Sequence, residues 1–209
     1  MRVSPTRRPT MIADGRVDPP VSVHAALVRN VLPSDVEAIE SVWMPARRIL
    51  VAAREADGSH LENRHWDWVR KAPQAEDGSL ALYAVECESE VQGLMAISAR
   101  PREAILTKGS SLVYVDYIEA APWNIRANGH LPRFLGIGTA LIADAIRISL
   151  EMGLGGRVGL HSLSQAERFY EQRCRMTCLG PDEDYYRLVY FEYPEGASSS
   201  WLTAMGFEP

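Results

Sequence analysis

The chain has 209 residues, 46% hydrophobic and 23% charged, which suits one globular domain with a real core and excludes a disordered or fibrous chain. A net charge of −5 argues against a broad nucleic-acid surface, which needs basic residues to displace counterions, so no DNA partner is expected. No apolar run approaches the ~18 residues of a membrane span, and the basic start MRVSPTRRPT lacks the apolar segment of a signal peptide; the expectations are no membrane partner and a cytoplasmic location.

Residues 1 to 20 carry Pro5, Pro9, Pro19 and Pro20 among scattered arginines, which predicts a flexible lead-in. VHAALVRNV (23 to 31) reads as a strand. Ser34 and Glu37 have capping-box spacing ahead of Val36, Ile39, Val42 and Trp43, predicting a helix toward Glu55 with an interruption near Pro45. LENRHWDWVRKA (61 to 72) predicts a second helix between turn signals. LALYAVECE (80 to 88) and VQGLMAISA (91 to 99) predict an antiparallel hairpin. SLVYVDYIEA (111 to 120) is apolar or aromatic on both faces, as in a central strand covered on each side. Ile137, Leu141, Ala145, Ile148 and Met152 mark a helix face ended by Gly153. RVGLHSL (157 to 163) predicts a short strand, SQAERFYEQR (164 to 173) a short helix with Ser164 and Glu167 at capping-box spacing, and YYRLVYFEY (185 to 193) a last strand. This order places the chain in the α/β (α+β) class on a single sheet: one domain over 21 to 193, with an appendage at 194 to 209.

The stretch RFLGIGTALI (133 to 142) sets Arg133, Gly136 and Gly138 ahead of the long helix. A dinucleotide fingerprint would need a third glycine where Leu141 stands, and a P-loop would need Gly-Lys-Ser/Thr; neither is present. What remains is Arg-x-x-Gly-x-Gly opening a helix. Glycine lets backbone approach a ligand closely, and the first helical turn offers unpaired N–H groups at the positive end of the helix dipole. The combination suits a pyrophosphate, with Arg133 as a charge-assisted donor.

Three features in order, Ala-Ala-Pro at 120 to 122, the glycine motif at 133 to 138, and Ala166-x-x-x-Tyr170, make the chain resemble the GNAT superfamily of acetyl-CoA-dependent N-acetyltransferases over roughly residues 80 to 193. The resemblance implies a mixed, mostly antiparallel sheet with a splayed central strand, flanked by helices. It implies acetyl-CoA as cofactor, with Ala120 offering backbone groups to the pantetheine arm. Arg133, Leu135, Gly136, Ile137, Gly138 and Thr139 would then surround the pyrophosphate. Two departures stand out. Ten residues separate Pro122 from Arg133 where the family has a couple, an insertion that would line the acceptor cleft or reach the 3′-phosphate through Arg126 or His130. RCRM (173 to 176) replaces a common Gly-Phe pair, altering the helix exit.

Direct acyl transfer needs a base for the amine and an acid for the leaving thiolate. The resemblance makes Tyr170 the acid. Asp116 is the first candidate base, a carboxylate in an apolar strand where burial raises its pKa, and Glu119 the second, on the other side of a regular strand but exchanged with Asp116 by a bulge. His161 is read as a base or a structural strand histidine, Trp123 and Asn124 as acceptor-orienting or packing residues, and Trp66 and Trp68 as core or lid. Cys87, Cys174 and Cys178 offer no obvious acyl-enzyme nucleophile and no zinc spacing. The partner is a small-molecule amine or peptide acceptor, and the sequence leaves room for a homodimer. Two other readings compete: a catalytically silent acyl-CoA-binding module, and a GNAT-type toxin acetylating aminoacyl-tRNA.

Overall fold

The computed structural model describes residues 4–127 and 131–208. In chain order its main elements begin with β1 (Thr6–Asp14), β2 (Val21–Arg29), α1 (Pro33–Ala56), α2 (Ala72–Glu76), β3 (Leu80–Cys87), β4 (Glu90–Ser98) and β5 (Arg102–Glu103). They continue with β6 (Ser111–Ala120), β7 (Phe134–Leu135), α3 (Ile137–Glu151), β8 (Val158–Ser162), β9 (Thr177–Pro181), β10 (Val189–Tyr193) and α4 (Ala197–Ala204). Two compact units result, one from Met1–Ala96 with Tyr117–Leu141 and the other from Ile97–Asp116 with Ile142–Pro209. The strands β4 and β6 and the helix α3 each run through both.

In the first unit β7, β1, β2, β3 and β4 follow one another as sheet neighbours. The expected lead-in is largely β1, which pairs with β2 from Thr6↔Arg29 to Asp14↔Val21. Pro9 and the arginines hid it. Proline is tolerated on a strand with an open edge, and β7 covers only Ala13 and Asp14. The predicted β3–β4 hairpin turns at Glu88 (φ 53) and Ser89 (φ 62), the positive pair of a type I′ turn.

Helix α1 starts with Pro33 in its first turn and makes no side-chain cap hydrogen bond, so the Ser34–Glu37 box is not formed; proline preset for helical φ replaces it. The helix also passes Pro45 without interruption. Its buried stripe is Val36, Glu40, Trp43, Arg47 and Leu50, the spacing of one helix face, with Trp43 packed against Val28, Leu82 and Leu94 in a common core. The expected helix over 61 to 72 is instead a pair of 3-10 turns, Glu62–His65 and Val69–Lys71, followed by α2. Residues two apart on an α-helix point about 200° from each other, whereas Trp66 and Trp68 both set an edge against Tyr117, at 5.4 and 6.4 Å.

In the second unit β6 runs parallel to β8, and β10 lies antiparallel between β8 and β9. The β6–β8 register comprises Val113↔Val158, Tyr114↔Gly159 and Val115↔Leu160, although β6 continues to Ala120 and β8 to Ser162. That loss of pairing is the splay. Strand β9 had no sequence signal beyond its glycine and proline. The expected helix at 164 to 173 is a 3-10 turn, Ser164–Ala166, and a π-turn, Phe169–Arg173, without side-chain caps; Arg175, where glycine would be at ease, takes φ 58. The expected appendage at 194 to 209 carries α4 (Ala197–Ala204). Trp201 and Leu202 of α4 are buried, and the Trp201 indole donates to Arg173 O at 2.9 Å. No helix among the described residues is long and apolar enough to cross a membrane.

Candidate active site

The turn ahead of α3 is built by its neighbours in the first unit. Buried Gln92 accepts from Trp123 Nε1 at 2.8 Å and from Asn124 Nδ2 at 3.0 Å, and Asn124 Oδ1 in turn accepts from Phe134 N at 2.9 Å. Arg133 N donates to Trp123 O, and Gly15 N to Arg133 O. The chain then turns at Gly136, with φ +87 and open space where a Cβ would stand. Ala140 N–H is bonded back to Gly136 O at 2.9 Å, so the amides of Ile137, Gly138 and Thr139 belong to the first turn, which has no intrahelical partners to offer. That turn holds no acidic residue. Gly136 alone carries the left-handed conformation; Gly138 lies inside the helix. A third glycine, Gly93 of β4, permits the approach of α3, since a Cβ there would overlap Ile137.

The Arg133 guanidinium donates to Glu88 at 2.6 Å and also to Glu90, on the β3–β4 hairpin. Arg16 reaches the same Glu88 and Asp14, and these guanidinium contacts hold both carboxyls down at about 2. Arg133 thus braces the turn on a neighbouring hairpin. Arg126 is exposed; His130 lies outside the described residues.

Glu119 is 5% exposed and its oxygens are fully engaged. Oε1 accepts from Asn63 Nδ2 at 2.8 Å and Arg47 Nε at 3.3 Å, and Oε2 from Trp68 Nε1 at 2.6 Å and Arg47 Nη2 at 3.3 Å. Arg47 also pairs with buried Glu40, whose carboxylate accepts from Trp68 N. Burial pushes the Glu119 carboxyl up, against the pull of Arg47 and Trp68. Beside this network opens a cleft of about 570 Å³, lined among others by Arg47, Arg48, Arg64, Trp66 and Arg70.

Asp116, in the second unit, is held more lightly. Ser98 Oγ donates to Oδ2 at 2.6 Å and Arg102 Nη2 to Oδ1 at 3.0 Å. Burial raises its pKa, opposed by Ser98 and Arg102. Tyr170 sits at 4% exposure in the π-turn, its ring against Phe169 and Phe191 at 5.1 and 5.7 Å, and burial pushes its phenol far up. The π-turn is anchored through Cys174 N to Phe169 O at 3.0 Å and by the Tyr193 hydroxyl on Cys174 O. Asp116 and Tyr170 share no hydrogen bond among the described residues.

No family model matches the chain, and no curated protein matches it. Among solved structures, a GNAT-family acetyltransferase from Listeria monocytogenes 4b F2365 aligns with a TM-score of 0.54 at 16% identity, over 88% of this chain and 99% of that one. The PaiA N-acetyltransferase of Thermoplasma acidophilum, in complex with coenzyme A, aligns with a TM-score of 0.51 at 11% identity, over 80% and 97%. The chain has the GNAT fold. The AtaT–AtaR complex bound to DNA matches more loosely, with a TM-score of 0.41 at 14% identity over 64% and 78%.

Within this GNAT fold the sequence missed two arrangements. His161 is no lone strand histidine: its Nδ1 lies 2.6 Å from the Tyr114 hydroxyl and its Nε2 3.0 Å from Asp182 Oδ2. A carboxylate only accepts, so Nε2 carries the proton and Nδ1 accepts from Tyr114. Burial lowers the imidazole pKa, and Tyr185 stacks on the ring at 4.0 Å. Tyr114 and His161 were both visible in the sequence, but Asp182, in a loop after β9, gave no signal. The second is the Glu40–Arg47–Glu119 network, announced only by charges on an otherwise apolar face of α1.

Proposed function

We propose that the chain is an acetyl-CoA-dependent N-acetyltransferase that moves an acetyl group to an amine by direct attack in a ternary complex. The observation that carries the reading is Gly136, turned at φ +87 with nothing beside it, immediately before the unpaired amides of α3. Those amides, at Ile137, Gly138 and Thr139, suit the diphosphate of the donor, with Leu135 flanking them and Arg133 bracing the turn from behind. Ala120, the last residue of β6, offers its backbone to the pantetheine arm in the stretch where β6 has lost its β8 partner.

Asp116 takes the proton of the amine, because its carboxylate has two partners and keeps further lone pairs. A lysine-like amine is neutral only about one time in 2,500 at pH 7, so a base of raised pKa has real work to do. Tyr170 returns a proton to the leaving thiolate. Glu119 holds Asn63, Trp68 and Arg47 in place. The acceptor is an amine, either a small molecule or a peptide.

Acetyl-CoA should raise the Tm of the wild-type chain, by about 2.7 kcal/mol of stabilisation when it exceeds its Kd a hundredfold. Gly136→Val, whose side chain opposes the left-handed turn, should abolish the shift. A melting curve that acetyl-CoA does not move at millimolar concentration defeats the proposal. Thiol release over a panel of amines then names the acceptor.

A further inference from the structure

The chain has 22 Lys and Arg residues, and only Lys71 and Lys108 are lysines. Lys108 is exposed. Lys71 is not: it follows Trp66 and Trp68 in the 3-10 turns and its Nζ stands 4.3 Å from the ring centre of Tyr117, 5.1 Å from Trp66 and 5.7 Å from Trp68. Both indoles meet Tyr117 nearly at right angles, 89° and 76°, so three rings wall in one amine. Among the described residues Nζ makes no hydrogen bond and no ion pair. Tyr117 lies on β6 three residues before Ala120, about 10 Å along a strand, so the walled amine and the strand end proposed to meet the donor arm belong to one stretch of β6.

We propose that Lys71 is itself an acyl acceptor, acetylated in cis by the donor bound to its own chain. This rests on the acetyltransferase reading above. Rings that flank the amine restrict its rotamers, and desolvation favours the neutral nucleophile; burial lowers the Lys71 pKa, with the field of Glu119 opposing. In the step the ammonium first loses one proton to solvent. The amine nitrogen then attacks the thioester carbonyl carbon, the N–C bond forms, the C–S bond breaks, and the second proton goes to the departing thiolate. The products are N-acetyl-lysine and coenzyme A thiol. Acetylation removes the charge and leaves a neutral amide among the rings, so the cleft bordered by Trp66 changes its polarity with modification.

The test is to incubate the full chain with isotope-labelled acetyl-CoA, digest it, and quantify label at Lys71 and Lys108 by mass spectrometry, with Tm recorded in parallel. Lys71 should acquire label at least about tenfold faster than Lys108, as proximity to a bound donor requires, at a rate per chain that dilution does not change. In urea the preference should vanish. Tyr117→Leu, which opens one wall, should slow labelling of Lys71 and leave that of Lys108 unaltered. Equal labelling of the two lysines, or a Lys71 rate that falls on dilution, overturns the proposal. A Tm raised by acetyl-CoA with Lys71 unlabelled overturns it while leaving the acetyltransferase reading intact; no Tm shift and no label overturns both.

Discussion

Glu119 and Asp116 belong to one strand, and burial pushes both carboxyls up, yet their surroundings differ in kind. Every lone-pair direction of Glu119 meets a donor from Arg47, Asn63 or Trp68, and none of these can be released without leaving a buried polar group unpaired. Asp116 has one hydroxyl and one guanidinium, and Arg102 is partly exposed at 38%. A raised pKa therefore does not distinguish a base from a strut. The number and burial of the donors does.

The comparison can be broken at four points, in decreasing order of effect. Glu119→Ala leaves Arg47 with Glu40 as its remaining carboxylate and removes the acceptor of the Trp68 indole and the Asn63 amide, and should lower unfolding free energy by about 2–4 kcal/mol in urea titration; Glu119→Gln should cost less. If Glu119→Gln instead stops turnover with an unmoved urea midpoint, the two carboxylates exchange roles. Asp116→Asn should leave the urea midpoint nearly in place and lower kcat/KM by about 10²–10⁴. In the wild type kcat/KM should rise with pH through the elevated Asp116 pKa, because the base must be ionised. The same shift acts on stability with the opposite sense: the folded state binds the proton more tightly, so this contribution is present below the ordinary aspartate pKa and is lost as pH climbs through the raised value. A flat profile in Asp116→Asn identifies the group.

Tyr170→Phe comes third. Turnover should fall by about 10², while the Tm shift with acetyl-CoA stays as in the wild type; an unaffected turnover would make the ring a packing element alone. Arg133→Gln should do least. Glu88 and Asp14, held at about 2, contribute stability above their ordinary pKa values that is lost as pH falls toward 2. Without Arg133 the Glu88 carboxyl rises, and the acid-unfolding midpoint should move up slightly. A collapse of acetyl-CoA affinity in this variant would instead put the guanidinium on the phosphate.

What the sequence conveyed, it conveyed through local physics. A left-handed Gly136 before a helix, a hairpin turning near Ser89, and an apolar β6 are all demanded by residues adjacent in the chain. The GNAT-like order followed from them. What it concealed was settled at a distance. Glu40 and Arg47 lie one above the other on α1, but Glu119 is 72 positions from Arg47, so the network had no local mark. Strand β1 has a proline and three arginines nearby, and only its pairing with β2 makes it a strand. Lys71 looked like an ordinary basic residue until two 3-10 turns replaced the helix and brought Trp66 and Trp68 around it.

The π-turn at Phe169–Arg173 has one residue more per bonded loop than an α-helix. Deleting a single residue there would return ordinary spacing and swing Tyr170 by roughly 100° about the helix axis. The hydroxyl assigned to the departing sulfur is thus aimed by a surplus amino acid, and a lineage could disarm or re-aim it with one codon lost, leaving every side chain of the site unchanged.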